Sequence, residues 1–198
     1  MFLKKVFNLK AVKLSFIFIV LSLPLASNEN NTLKETLTYL ENFNEFTSSF
    51  LQIQKNDVSE GLIFIKGDRL RIEYTSPSHI IFILKKNKGM YFNKELQEVQ
   101  YFNPKNTIGK FLIDLFTNNN FLSNSIITNK KSYFYIQKEI QLDEKTYIIK
   151  VYFEKKPLQL RKLEIINDLE IITFTILNPN YNPNLDDKIF SLANPLLS

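Results

Sequence analysis

Few of the residues that usually carry chemistry stand where they could act together. The chain has one histidine, His79, and no cysteine, so a Ser-His-Asp arrangement or a His/Cys metal site would rest on a single residue. It contains neither a glycine-rich phosphate loop nor a nucleophile elbow. The carboxylate pairs Asp143 with Glu144 and Asp186 with Asp187 have the composition of the acid/base couples that glycosidases use. Both stand in turn-like or tail-like stretches beside basic residues, which favours a solvated surface. The lysines at 85, 86 and 88 and at 130 and 131 read first as turn residues and second as guides for an acidic partner. His79 reads as a strand-edge residue. The expectation is no catalysis, no cofactor and no metal.

The start of the chain carries a different kind of information. Lys4, Lys5, Lys10 and Lys13 precede an apolar run from Leu14 to Leu25, and no acidic residue comes before Glu29. A basic segment, a short apolar core and small residues at its end (Ala26, Ser27) form a secretory signal. Its core is shorter than the roughly 20 residues that span a bilayer. Cleavage after Ala26 would divide the chain into a signal at 1–26 and a single domain at 27–198. The signal holds four lysines and no carboxylate, so the formal charge of +5 falls to +1 on its removal. That removes the electrostatic case for nucleic acid or an anionic membrane. Without cysteine, no disulfide supports the fold and no thiol can bear a lipid. The expected product is a soluble, monomeric periplasmic protein.

The elements that must position any site change type along the chain. Thr32 and Glu35 have capping-box spacing, and Leu33, Leu37 and Leu40 recur at helical intervals up to about Phe43. The period then falls to two. Strands are expected at 46–54, 60–66, 69–75, 79–85, 89–93 and 97–102, with turn residues such as Gly67, Asp68, Pro77, Asn87 and Lys94 between them. Arg69 to Tyr74 alternates most clearly: Leu70, Ile72 and Tyr74 share one face, and Arg69, Arg71 and Glu73 the other. Ile108, Phe111, Leu112, Leu115 and Phe116 fall on one side of a helix over 107–116 that begins after Pro104. An Asn-rich loop over 118–131 follows. Strands resume at 132–142, 146–154, 158–166 and 170–177, and 178–195, with Pro179, Pro183 and Pro195, is expected to be an irregular tail.

Strands this short and this closely joined must pair antiparallel. The fold class is mainly β (α+β): an incomplete, strongly curved antiparallel β-barrel, with an N-terminal helix and a lid helix across its concave side. After loss of the signal the chain keeps 14 of its 18 phenylalanines and all nine tyrosines. So much large apolar side chain fits either a densely packed core or an acyl-chain cavity.

Several separated motifs then converge: FLQ at 50–52, EGLIFIKGDRLRIEYTSP at 60–77, YFNKELQEVQ at 91–100, LRKLEIINDLEIITFTI at 160–176, Asn182 to Leu185, and Phe190 before Pro195. In order and spacing the chain resembles the periplasmic outer-membrane lipoprotein carrier (LolA-like) family. The resemblance implies a half-barrel with a hydrophobic cavity and no cofactor or catalysis. Its implied partners are acylated lipoproteins as cargo, an inner-membrane lipoprotein-releasing ABC transporter and an outer-membrane receptor. A carrier of free lipids and a lipid-sensing regulatory half-barrel are the alternative readings. The expected cavity residues are Phe50, Phe64, Leu70, Ile72, Tyr74, Ile81, Ile83, Met90 and Phe92 from the sheet and Phe111, Leu112 and Leu115 from the lid. Family members commonly place an arginine at the end of the second strand, where it contacts the lid. The matching position here is Lys66, which would be the lid-gating residue, although lysine lacks the bidentate geometry of guanidinium.

Overall fold

A computed structural model describes residues 26–197, apart from 43, 86, 119 and 143. The expected signal segment therefore lies, except for Ala26, outside the described residues, as do Phe43, Lys86 and Asp143. Eleven antiparallel strands make one sheet: β1 (Glu45–Gln54), β2 (Asp57–Lys66), β3 (Arg69–Ser76), β4 (Ile80–Lys85), β5 (Lys88–Asn93), β6 (Glu98–Phe102), β7 (Ile126–Asn129), β8 (Tyr133–Leu142), β9 (Lys145–Lys155), β10 (Leu158–Ile166) and β11 (Ile171–Tyr181). Two meanders, β1 to β6 and β7 to β11, join through the β1–β11 pair, giving the order β6-β5-β4-β3-β2-β1-β11-β10-β9-β8-β7. The edges β6 and β7 do not pair, so the barrel stays open.

The connection between those two edges supplies the lid. After β6, Asn103 accepts the backbone N–H of Lys105 and opens a 3-10 turn at Pro104–Asn106, where proline's fixed φ suits a helical start. Helix α2 (Ile108–Thr117) follows and buries Leu112, Ile113 and Leu115. These join Phe46, Phe50, Ile63, Leu70, Ile72, Leu84, Phe174 and others in one inner core. Each such side chain, fully buried, contributes roughly 1.5–3 kcal/mol.

Helix α1 (Ala26–Glu41) begins six residues before the expected cap at Thr32. Thr32 lies inside it, and its carbonyl accepts a bond from Thr36 Oγ1 at 2.8 Å, so the capping-box expectation is corrected. Tyr39 ties this helix to the sheet: its hydroxyl is 2.5 Å from that of Tyr181 and accepts the Leu160 N–H at 3.2 Å.

Two other segments depart from expectation. The Asn-rich loop contains β7, whose single buried residue, Ile127, is too little pattern to read. The tail begins four residues later than expected because β11 runs on through Pro179 to Tyr181. Proline is tolerated there because the β1–β11 register shifts between Thr47 and Ser49, and a bulge excuses the missing N–H. Beyond it the tail packs instead of running free. Its 3-10 turn, Asp187–Phe190, buries Phe190 completely against Ile81, Ile83, Met90 and Phe92 on the sheet's outer face.

Candidate functional site

Between α2 and the inner face lies a cavity of about 260 Å³, lined by Gln52, Ile72, Tyr74, Phe82, Leu84, Phe102, Thr107, Ile108, Gly109, Leu112, Ile172 and Phe174. Register explains the set. Ile72 faces Phe82 and Leu70 faces Leu84 across β3–β4, while Gln52 faces Phe174 across β1–β11. Antiparallel partners share a face, so these strands present their bulk to one space. Gly109 lets the lid come close, since a Cβ there would sit 2.6 Å from a Leu84 methyl. A void of about 10 Å³ continues inward among Phe50, Ile63, Leu163 and Ile176, sharing Ile72, Leu112 and Phe174 with the cavity.

Rings form part of the wall. Tyr74 meets Phe50 edge-on at 5.4 Å and Phe82 at 6.1 Å, geometries that suit aromatic quadrupoles. The Tyr74 hydroxyl donates to Gln52 Oε1 at 2.6 Å, and burial raises its pKa to about 12. Among the described residues no charged side chain lines the space. A wider cleft of about 470 Å³ lies at the other end of α2, but Glu41, Glu45 and Asp68 border it, and carboxylates beside a hydrocarbon chain would be desolvated at high cost.

The expected cavity residues divide between the two faces. Ile72, Tyr74 and Leu112 line the cavity and Phe50 its inner continuation. Leu70, Phe111 and Leu115 pack in the surrounding inner core. Phe64, Ile81, Ile83, Met90 and Phe92 are corrected: all five belong to the outer cluster beneath the tail. Phe64, Ile81 and Ile83 stand on strands that are apolar on both faces over Leu62–Ile65 and Ile80–Leu84, so no alternation marks the inward side and a one-residue slip exchanges the sets; Met90 and Phe92 follow through their pairing with Ile83 and Ile81. Lys66 is corrected too. It bonds Glu45 at 2.9 Å, Asp187 at 3.0 Å and the Leu185 carbonyl at 2.6 Å, so it holds the tail, and among the described residues its polar bonds reach no residue of the lid.

The cavity also draws on Gln52, Phe82, Leu84, Phe102, Ile172 and Phe174, which the expected set does not contain. Ile172 and Phe174 alternate within β11 and were legible as one face; Phe102 was not, since its place depends on Gly89, where a side chain would collide with its ring. His79 is half exposed and sits 3.5 Å from Glu95. Among the described residues no group of His, Cys, Asp and Glu could hold a metal, and no helix is long and apolar enough to cross a membrane.

An open antiparallel half-barrel presses an apolar helix over a cavity whose lining, among the described residues, is uncharged and mostly apolar. The family described as "Outer membrane lipoprotein carrier protein LolA" matches residues 41–193, and the chain belongs to it. An uncharacterised protein of Rickettsia prowazekii (strain Madrid E) is 26% identical over 182 residues, covering 90% of this chain and 84% of that protein. A conserved protein of Thermus thermophilus superposes with a TM-score of 0.55 at 4% identity, covering 82% of this chain and 92% of its own, which establishes likeness of fold. A putative outer membrane lipoprotein-sorting protein domain from Vibrio parahaemolyticus gives a TM-score of 0.49 at 8% identity, covering 81% of this chain and 95% of that one.

Proposed function

We propose that this protein is a periplasmic chaperone that shields the acyl chains of lipoproteins on their way from an inner-membrane ABC transporter to an outer-membrane receptor. The observation that carries the reading is the uncharged cavity under α2 in a chain of the carrier family. Burial of acyl chains is worth roughly 0.8 kcal/mol per methylene, which forbids an unshielded crossing of water. The basic and apolar start of the chain is its export signal, removed to leave 27–198 as the working domain.

At about 260 Å³ the cavity falls just below the roughly 300–1,000 Å³ of pockets that take drug-sized ligands. Several acyl chains therefore require α2 to withdraw. The test is cargo: the protein isolated from the periplasm should carry intact acylated lipoproteins, and its depletion should strand them at the inner membrane. Unchanged lipoprotein localisation would overturn the reading, and phospholipid as the sole cargo would replace it with a carrier of free lipids.

A further inference from the structure

We infer that Gln52, oriented by Tyr74, recognises the neutral carbonyl at the head of an acyl chain, so that the cavity selects esters and amides of fatty acids over bare hydrocarbon and over free carboxylates. This rests on the acyl-carrier reading and specifies its ligand.

Three polar side chains interrupt the lining: Gln52, Tyr74 and Thr107. Two are spent. Thr107 Oγ1 donates to the Pro104 carbonyl at 2.8 Å, and the Tyr74 hydroxyl donates to Gln52 Oε1 at 2.6 Å. Because the carbonyl end of the Gln52 amide takes that bond, its Nε2 end carries the two N–H groups that remain. Among the described residues no protein atom accepts from either.

Water can satisfy these donors while the cavity is empty. A hydrocarbon chain that displaces the water leaves them unpaired, and an unmade bond in a poorly solvated site is the expensive outcome. An acyl ester or amide brings an sp² oxygen that replaces the water. A free fatty acid brings an oxygen too, but its charge enters a wall with no cation among the described residues, and an uncompensated carboxylate is penalised. Neutral carbonyl is the remaining match. The phenol stays protonated until about pH 12, so the donor orientation persists at every ordinary pH.

Displacement of a hydrophobic fluorophore from the purified protein by methyl decanoate, undecane and decanoate tests this. Methyl decanoate should bind about three- to tenfold tighter than undecane, the span expected of one net hydrogen bond, with decanoate the weakest at about pH 7.5, where its carboxylate is ionised. Gln52→Leu should abolish the preference for the ester, with an unaltered circular dichroism spectrum showing that the fold is intact. Gln52→Glu, of equal size without the donors, should disfavour the ester. Tyr74→Phe should lower the ester preference by freeing the amide to rotate. Equal binding of ester and hydrocarbon by the unaltered protein, or an ester preference that survives Gln52→Leu, overturns the carbonyl assignment and leaves the cavity reading standing. Failure of all three probes to displace the fluorophore overturns both.

Discussion

On the inner face of the sheet, α2 is held by apolar side chains, and among the described residues its side-chain polar bonds stay local: Lys110 pairs with Asp114, Thr117 with the Ile113 carbonyl. On the outer face the tail also buries an apolar anchor, Phe190, but is fastened by Lys66 to Glu45 and Asp187, by Arg69 to Asp187 at 3.1 Å and by Arg71 to the Ile189 carbonyl at 3.0 Å. Arg69 also lies over the Phe190 ring, 5.2 Å from its centre. Apolar contact is non-directional, so a helix held only that way can shift without breaking a bond of fixed geometry. Directional bonds fix the tail in one place. The sheet thus separates a cover held by apolar packing from a cover held by directional bonds.

The sharpest way to break this contrast is to remove the anchor on each side. Phe190 is completely buried, and Phe190→Ala should cost about 3–5 kcal/mol in denaturant unfolding, with methyl decanoate affinity unchanged in the folded protein. Leu112→Ala should cost less, about 2–3 kcal/mol, because Leu112 already borders empty space. It should also enlarge the cavity and shift the preferred methyl ester toward longer chains. A Phe190→Ala protein with altered ligand preference would mean the two faces are not independent.

How this contrast was legible follows the same physics. Arg69 to Tyr74 alternates polar and apolar residues, so its wet and dry faces could be read directly, and the structure puts Leu70 and Ile72 in the inner core and both arginines with the tail. The helical spacing of Leu112 and Leu115 likewise identified the lid. Ile80–Leu84 gave no such guide, because a strand covered on both sides is apolar on both sides. Its register comes from Tyr74 facing Ile80 across the turn, a matter of loop length. Lys66 gives no guide for a related reason: a charge at a strand end shows no partner until the tail, 119 residues on, comes back to it. Gln52 stands between Leu51 and Ile53, so polarity alone would turn it outward, and its inward direction depends on parity with Phe50.

The second helix sharpens the contrast at smaller scale. Unlike α2, α1 has a directional tie, since Tyr39 meets Tyr181 and accepts the Leu160 N–H. Tyr39→Phe keeps the ring, which packs edge-on to Phe153 at 6.1 Å, and removes the oxygen. The expected loss is about 1–2 kcal/mol, because the Leu160 N–H is left without its acceptor. Hydrogen exchange should show faster exchange at Leu160 while α2 amides are unaffected; equal acceleration in both helices would mean that they move as one unit.

The smallest expected effect is a pH-driven loosening confined to the tail. The Leu185 N–H, and after it Lys66, hold the Glu45 carboxyl below its ordinary value of 4.5. Lys66 is the main cause holding Asp187 below 3.8. A carboxylate with a lowered folded pKa gives its full stabilisation above the ordinary value and loses it as pH falls through the folded one. Lys66 is shifted the other way, raised above 10.5 chiefly by Glu45 and then Asp187, so its share is complete below 10.5 and lost at higher pH. The tail should therefore be fully pinned from about pH 4.5 to 10.5 and loosen on acidification below that range. The Leu185 amide resonance should report the Glu45 titration with a midpoint below 4.5, and Lys66→Met should move that midpoint upward by removing a cation from the carboxylate. The α2 amides should show no transition tracking it, because among the described residues no side chain of the lid bonds to Glu45, Lys66 or Asp187. A shared midpoint in α2 would show that the tail reaches through the sheet to the lid.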